Sequence, residues 1–389
     1  MTTADPGPPS SVDVLVVGAG IAGASVGWAL ARRGATVLVV EQEPQPGHHA
    51  TGRSAALLNE TVGHPVVGAL ARASAGFLTD PPAGFVDHPL VAPRGLLWVG
   101  QGAAGTRALD ALAAAVPPGA AARLVPAATH ALVPALRDGW VVAGGVHEPG
   151  ARSVDVAALL QAYLRGLRRA GGSLRLGASV EHLERRDGDW RAHLHSRHDG
   201  GGTSTVVCAT VVDAAGAWGD DVAGRAGVAP LGLAALRRTA CVVPVPGGTD
   251  VSSWPLVMDV GGGFYAEPEP GGLLVSPADE QRCDPCDARP DELDVALALD
   301  RLRAATTLPV RSVRRAWAGL RTFAPDRVPV AGFDPAAAGF YWLVGQGGAG
   351  IKTAPALAAL AAADICGAGP ADVRPAPALV AALRPERLR

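Results

Sequence analysis

Residues 12–41 read VDVLVVGAGIAGASVGWALARRGATVLVVE, and this stretch decides the fold. Val12 to Val17 is a nearly continuous apolar run, the mark of a strand buried on both faces in a parallel sheet. It enters Gly18-Ala19-Gly20-Ile21-Ala22-Gly23, after which the spacing predicts a helix to Arg33. Gly34 closes that helix, where a left-handed backbone is cheap only for glycine. Thr36 to Val40 is a second buried strand, ended by Glu41. Strand, turn, helix and strand make a right-handed βαβ unit. In that setting the glycines acquire distinct jobs. Gly18 allows the tight turn, Gly20 lets backbone approach a pyrophosphate, and Gly23 lets the helix pack on the strand. The helix start offers free N–H groups and about half a positive charge to a diphosphate. Glu41 is placed to accept from an adenosine ribose and to disfavour a 2′-phosphate.

Two further stretches favour FAD over NAD. Residues 208–219 (CATVVDAAGAWG) are a buried strand followed by a small-residue turn that can lie along a dinucleotide. Residues 345–350 (GQGGAG) repeat the glycine pattern after the strand FYWLVG. Too little chain follows to complete another βαβ unit, so this second helix start is expected to face another part of the same cofactor. A reduced flavin carries negative charge at its N1–C2=O edge, which a helix dipole stabilises. Lys352 lies in the first turn of that helix. A cation there runs against the dipole, so a nearby anion is expected.

The chain has 389 residues with 34 Lys+Arg, 36 Asp+Glu and a formal charge of −2. That balance excludes a charge-driven nucleic-acid binder, and 48% hydrophobic residues exclude an acidic disordered chain. Lys352 is the only lysine, so arginine carries little information by its abundance alone. No uninterrupted apolar window is long enough for a membrane span. MTTADPGPPSS reads as a mobile leader without the features of a signal peptide. With five scattered cysteines, a reducing cytoplasm is the expected location. Cys283 and Cys286 form a CxxC with no second pair or nearby histidine, so no metal is expected. Asp155 is expected to cap a helix to about Arg169, and a further helix is expected over about 291–305. Between Arg237 and Ser276 short strands punctuated by Gly and Pro point to a mainly antiparallel sheet. The expected architecture is α/β: a discontinuous Rossmann-like FAD-binding domain (10–90, 147–226, 318–389) and an inserted substrate-binding domain (91–146, 227–317).

The motifs GAGIAGAS, GHHATGRSAA, VVDAAGAWG, WAGLR and GQGGAGIKT, in this order, resemble those of FAD-dependent amino-acid oxidoreductases of the D-amino-acid oxidase superfamily. TGRSAA, PPAGF followed by HPL, and the Pro-Leu-Gly-Leu near Arg237-Arg238 are most similar to the branch that oxidises D-arginine. The resemblance implies noncovalent FAD. Gly18, Gly20, Ala22, Gly23, Glu41 and Gln42 would hold its ADP half and Val180 would face the adenine. Ala50, Thr51, Gly52, Arg53, Ser54, Ala55, Ala56 and Leu57 would wrap the pyrophosphate and flavin, with Gly216 and Gly319 beside them. Gln346, Gly347, Gly348, Ala349, Gly350, Ile351 and Lys352 would border the pyrimidine edge. Arg238 and Arg321 would grip a substrate carboxylate, the Tyr265 hydroxyl would assist, and the Gly348 carbonyl would accept from the amine. Planar, permanently charged guanidinium groups suit that task independently of any family.

Departures from the arginine branch bear on the substrate. Its distal carboxylate is Leu96 here, its active-site histidine is Leu57, and its lid tyrosine is Val62. With Leu256 and Met258 these would form an apolar pocket, in which an uncompensated cation costs several kcal/mol. The resemblance thus implies oxidative deamination of a D-amino acid with an apolar side chain, with Glu60 and Asp87 remaining as candidate substitutes for the missing carboxylate. Hydride leaves Cα for flavin N5, and the imine hydrolyses to a 2-oxo acid and ammonia, with O2 or a quinone as acceptor. Alternatives are a secondary amine or imino acid of sarcosine or proline type, or a tailoring flavoprotein acting on a carrier-bound amine. His48 and His49 lie in the flavin loop, where related amine dehydrogenases attach FAD covalently.

Overall fold

The computed structural model describes residues 9–196, 201–245, 249–367 and 376–389; most of the expected N-terminal leader lies outside them. Two large sheets and a small three-stranded one organise the described residues. The first has eight strands, with Ser11–Val17 at its centre between Val37–Val40 and Thr203–Asp213, both parallel to it. Ser173–Arg175 extends one side. Ala178–Arg186 and Asp189–Ser196 form a hairpin on the other, and Phe340–Val344 lies parallel to the end of Thr203–Asp213. The register pairs Val17 with both Val40 and Asp213, so Gly18, Glu41 and Ala214 leave their strands side by side. Ligands of open parallel sheets bind at such carboxyl ends.

Both faces of this sheet are covered, as its apolar strands require. Val14 and Val16 pack with the helices Ile21–Ala31 and Gly350–Cys366, while Leu15 and Val17 join the core behind. Gly34 takes φ +87° just past the first helix, as the sequence predicts. Asp155 caps the helix Val156–Arg169 by accepting from the Ala158 amide at 2.8 Å. Asp291 caps Glu292–Ala305 through the Leu293 amide in the same way.

The second sheet has nine strands and is antiparallel except for Leu96–Val99 beside Leu256–Asp259. Its longest member, Ala234–Val243, pairs along nearly its whole length with Arg315–Phe323. Alternation of side chains divides its faces. Leu97, Cys241, Val257, Ala266 and Val275 pack against Ala298 and Leu302 of the helix Glu292–Ala305. Leu96, Trp98, Ala240, Leu256 and Tyr265 occupy the opposite face. The expected boundary at residue 318 falls inside Arg315–Phe323, so Gly319 and Arg321 belong to the second sheet. Residues 147 and 148, expected in the first domain, likewise pair within the second. Among the described residues no helix is long and apolar enough to cross a membrane, and all five cysteines are free.

Candidate active site

Two adjoining cavities lie between the sheets. The first runs past Gly18, Gly20 and Ala22 at the helix start, Glu41 and Gln42 at the second strand end, and Val180 and Gly216. It continues past Ala50 and Thr51 to Gln346, Gly347 and Gly350. Backbone crowding explains the glycines. A Cβ on Gly23 would stand 1.8 Å from the Gly18 carbonyl oxygen, and one on Gly18 would stand 2.6 Å from that of Ala214. The two helix starts meet here, since a Cβ on Gly350 would be 3.5 Å from Ile21 Cγ2.

Glu41 is buried, and burial raises its carboxyl above the ordinary range against the opposing N–H donors of Ala19 and Glu43. Its Oε2 accepts from the Ala19 amide at 2.8 Å, so the carboxylate also fixes the glycine turn from the inside. Thr51 does the same from the other wall, its Oγ1 accepting from the Ile21 amide at 2.9 Å. His48 and His49 line this cavity. His49 Nδ1 is buried with no hydrogen-bond partner, while its Nε2 lies 3.0 Å from Glu43. A cradle that any Cβ would fill, two helix starts and an orphaned ring nitrogen fit a dinucleotide along this path. Trp218, from the 208–219 stretch, also lines it, as do Asp221 and Arg225, which carry no recognisable signal in the sequence.

The second cavity shares Ile21, Ala50, Thr51, Leu320, Gly347 and Gly350 with the first and ends on the second sheet. There it gathers Arg238, Tyr265, Gly319, Arg321 and Gly348, with Arg53, Ser54, Ala55 and Ile351 around them. Arg321 Nη2 lies 3.4 Å from the Tyr265 hydroxyl, and its guanidinium carbon is 6.0 Å from the Tyr265 ring centre. It forms no ion pair with any described residue. A Cβ on Gly348 would stand 3.0 Å from the Arg321 guanidinium carbon and press on that side chain. Arg238 is engaged differently, donating to the Asp279 carbonyl at 2.7 Å and to Glu280 at 3.1 Å. Burial and the neighbouring Arg321 charge lower its pKa. Strand alternation sends Arg237 to the other face, where it pairs with Asp294 at 2.9 Å. Of the three arginines lining this cavity, Arg53 and Arg238 are paired with carboxylates and Arg321 is not paired with any described residue.

Other expected residues lie elsewhere. Gly52 and Ala56 line a third cavity described below, and Ala349 and Lys352 line none of the three. Lys352 is buried, and burial brings its pKa down to about 8. Its Nζ donates to the Asn59 carbonyl (3.2 Å), Asn59 Oδ1 (2.9 Å) and the Val62 carbonyl (3.2 Å). The anions expected near it are Glu148 and Glu60, which favour its charged form. Glu148 in turn accepts from the Glu60 amide and the Thr61 hydroxyl, so this polar knot shapes the 59–62 loop. Leu57, Leu96 and Leu256 pack with Tyr265 and Ala240, with Val62 and Met258 against them, and form a wall behind the site rather than the lining of a cavity. Glu60 pairs with Arg72 and Asp87 is exposed, so neither substitutes for the missing carboxylate.

The family model for FAD dependent oxidoreductases (DAO) matches residues 13–364. A curated relative, FAD-dependent oxidoreductase domain-containing protein 1 of Bos taurus, is 31% identical over 231 residues, covering 50% of this chain and 46% of the relative. The chain thus spans about half the length of that relative. Among solved structures, glycine oxidase from Geobacillus kaustophilus superposes with a TM-score of 0.78 at 21% identity, over 94% of this chain and 97% of that one. L-proline dehydrogenase from P. horikoshii gives 0.80 at 17% identity over 98% of both. Iminodiacetate oxidase from Chelativorans sp. BNC1 gives 0.71 at 23% identity, over 92% and 96%. These likenesses concern the fold. The chain belongs to the FAD dependent oxidoreductase family, and its cofactor is FAD.

Proposed function

We propose that this family member oxidises the C–N bond of a free amino acid held by its carboxylate, a D-amino acid with an uncharged side chain. The observation that carries the reading is the Arg321 guanidinium, without a counter-charge among the described residues and beside the cavity that adjoins the cofactor path. A carboxylate supplies the missing charge through the bidentate geometry guanidinium favours. Arg238 adds a second positive group, and the Tyr265 hydroxyl a further donor. The D-configuration rests on the resemblance in sequence. The uncharged side chain rests on Ala55, Ala240, Leu320 and Ile351, which surround the site without a carboxylate.

Bound FAD supplies the acceptor for the hydride of Cα. The chain's own part is positional: Arg321 and Arg238 fix the carboxylate, and the Gly348 carbonyl accepts from the amine, which sets the direction of the C–H bond. No carboxylate or histidine lines this cavity, so the amine must arrive neutral. The two guanidinium groups favour that form, since nearby positive charge lowers an ammonium pKa. Turnover is therefore expected to rise with pH. The imine product hydrolyses to a 2-oxo acid and ammonia.

A panel of free D- and L-amino acids, assayed for ammonia release with either O2 or a quinone analogue as acceptor, tests the reading. D-Leu and D-Met are expected to outperform D-Arg and D-Lys. Turnover confined to secondary amines of the sarcosine or proline type would replace it.

A further inference from the structure

Beside the carboxylate site lies an open cavity of about 710 Å³. It shares Arg53, Ser54 and Ala55 with the carboxylate site, and Trp317, whose indole N–H donates to the Arg53 carbonyl at 3.1 Å, forms its inner wall. Glu267 reaches it from the strand Tyr265–Glu269, two residues from Tyr265 and on the same face. Glu267 is only 8% exposed, and its carboxylate makes no hydrogen bond or ion pair with any described residue. Burial disfavours the charged form of this carboxyl, and no described residue hydrogen-bonds it in return. A purely structural position has no reason to keep it.

Opposite it stands Arg94. Its Nη1 donates to the carbonyls of Ser252 and Trp254, while its Nε is buried without a partner. The remaining charges of the cavity are satisfied locally: Arg315 pairs with Glu269 at 2.6 Å, and Arg53 pairs with Asp287. Glu267 and Arg94 are thus the charged residues of the lining that make no ion pair with any described residue. An ammonium would be repelled by Arg94 and a carboxylate by Glu267. A neutral group with an N–H on one side and a C=O on the other satisfies both.

Building on the amino-acid reading, we propose that this cavity is a second recognition subsite, in which the Glu267 carboxyl and the Arg94 guanidinium bind an amide group on the part of the substrate remote from Cα. The amide is either a terminal side-chain carboxamide or an internal amide of a longer substrate. Burial pushes the Glu267 carboxyl up to about 7, so it is poised between accepting and donating. The subsite restores polarity to a side chain whose stem meets only apolar groups near Cα.

The test compares D-glutamine (terminal amide), N5-propyl-D-glutamine (internal amide), D-norleucine and D-lysine on the holoenzyme and on Glu267→Met and Glu267→Gln. Glu267→Met is expected to raise KM for the amide substrates about tenfold, the worth of one hydrogen bond to a charged group. Norleucine should be unaffected, and Glu267→Gln, which keeps an acceptor, should restore most of the loss. The better of the two amide substrates identifies the source. Equal losses on all substrates would mark Glu267 as structural, and lysine preference abolished in both variants would mark a cation site; either overturns the proposal. Calorimetric titration of the holoenzyme with hexanamide needs no turnover. Binding lost in Glu267→Met supports the subsite even if no amino acid is oxidised, and absence of binding to the wild type removes it.

Discussion

The cofactor cradle and the substrate wall are built from different materials. The cradle is made of backbone: amides at two helix starts, strand ends aligned by a parallel register, and glycines where a Cβ would collide with a carbonyl. The wall is made of side chains that converge from strands far apart in sequence. Arg238, Tyr265 and Arg321 come from three strands, and Gly348 from a loop of the first sheet. Backbone sites depend on local sequence and tolerate no added bulk. Side-chain sites depend on register and tolerate substitution with graded loss.

That contrast fixes the size of the effects to be expected. Gly23→Val, which forces backbone apart at 1.8 Å, is expected to abolish FAD retention, read as the flavin content of purified protein. Retained flavin would break the distinction. Arg321→Met should leave FAD bound and raise KM for amino acids by ~30-fold or more, as when one partner of a charge pair is removed. Unchanged kinetics would remove Arg321 from the site. Tyr265→Phe should cost about three- to tenfold in kcat/KM, the range of a single hydrogen bond. The smallest effect concerns stability. Burial raises the Glu267 carboxyl to about 7, helped by Glu269 and opposed by Arg94. The folded protein therefore keeps a proton that the unfolded chain has lost. Stability tied to that proton is complete below the ordinary carboxyl pKa and is lost as pH rises through about 7. Against Glu267→Gln, the wild-type Tm should fall progressively behind between about pH 5 and about pH 8. A constant difference would show that Glu267 has a partner.

The same contrast explains what could be read without coordinates. The strands Ser11–Val17 and Val37–Val40, the glycine turn and the caps Asp155 and Asp291 are local, and all appear where the residues place them. Arg238 rather than Arg237 faces the cavity because of alternation within Ala234–Val243, and Arg238 is the member that the family resemblance names. The substrate side chain was harder. Leu57, Leu96 and Leu256 are apolar substitutions in the motif, yet they stand behind Tyr265, because only register decides which residues reach the cavity. Glu267 and Arg94 lie 173 positions apart, and nothing in either segment announces that they line one cavity. Lys352 was legible as an anomaly at a helix start, but its explanation, the Asn59 loop, is nearly 300 residues away.

The central claim is that Arg321 selects substrates by their carboxylate beside the cofactor path. The direct measurement is anaerobic mixing of the holoenzyme with a reactive amino acid and with the amine left by its decarboxylation, following loss of visible flavin absorbance. The amino acid should bleach the flavin ~30-fold or more faster than the amine at equal concentration. Equal bleaching by both, or bleaching by the amine alone, would contradict the account.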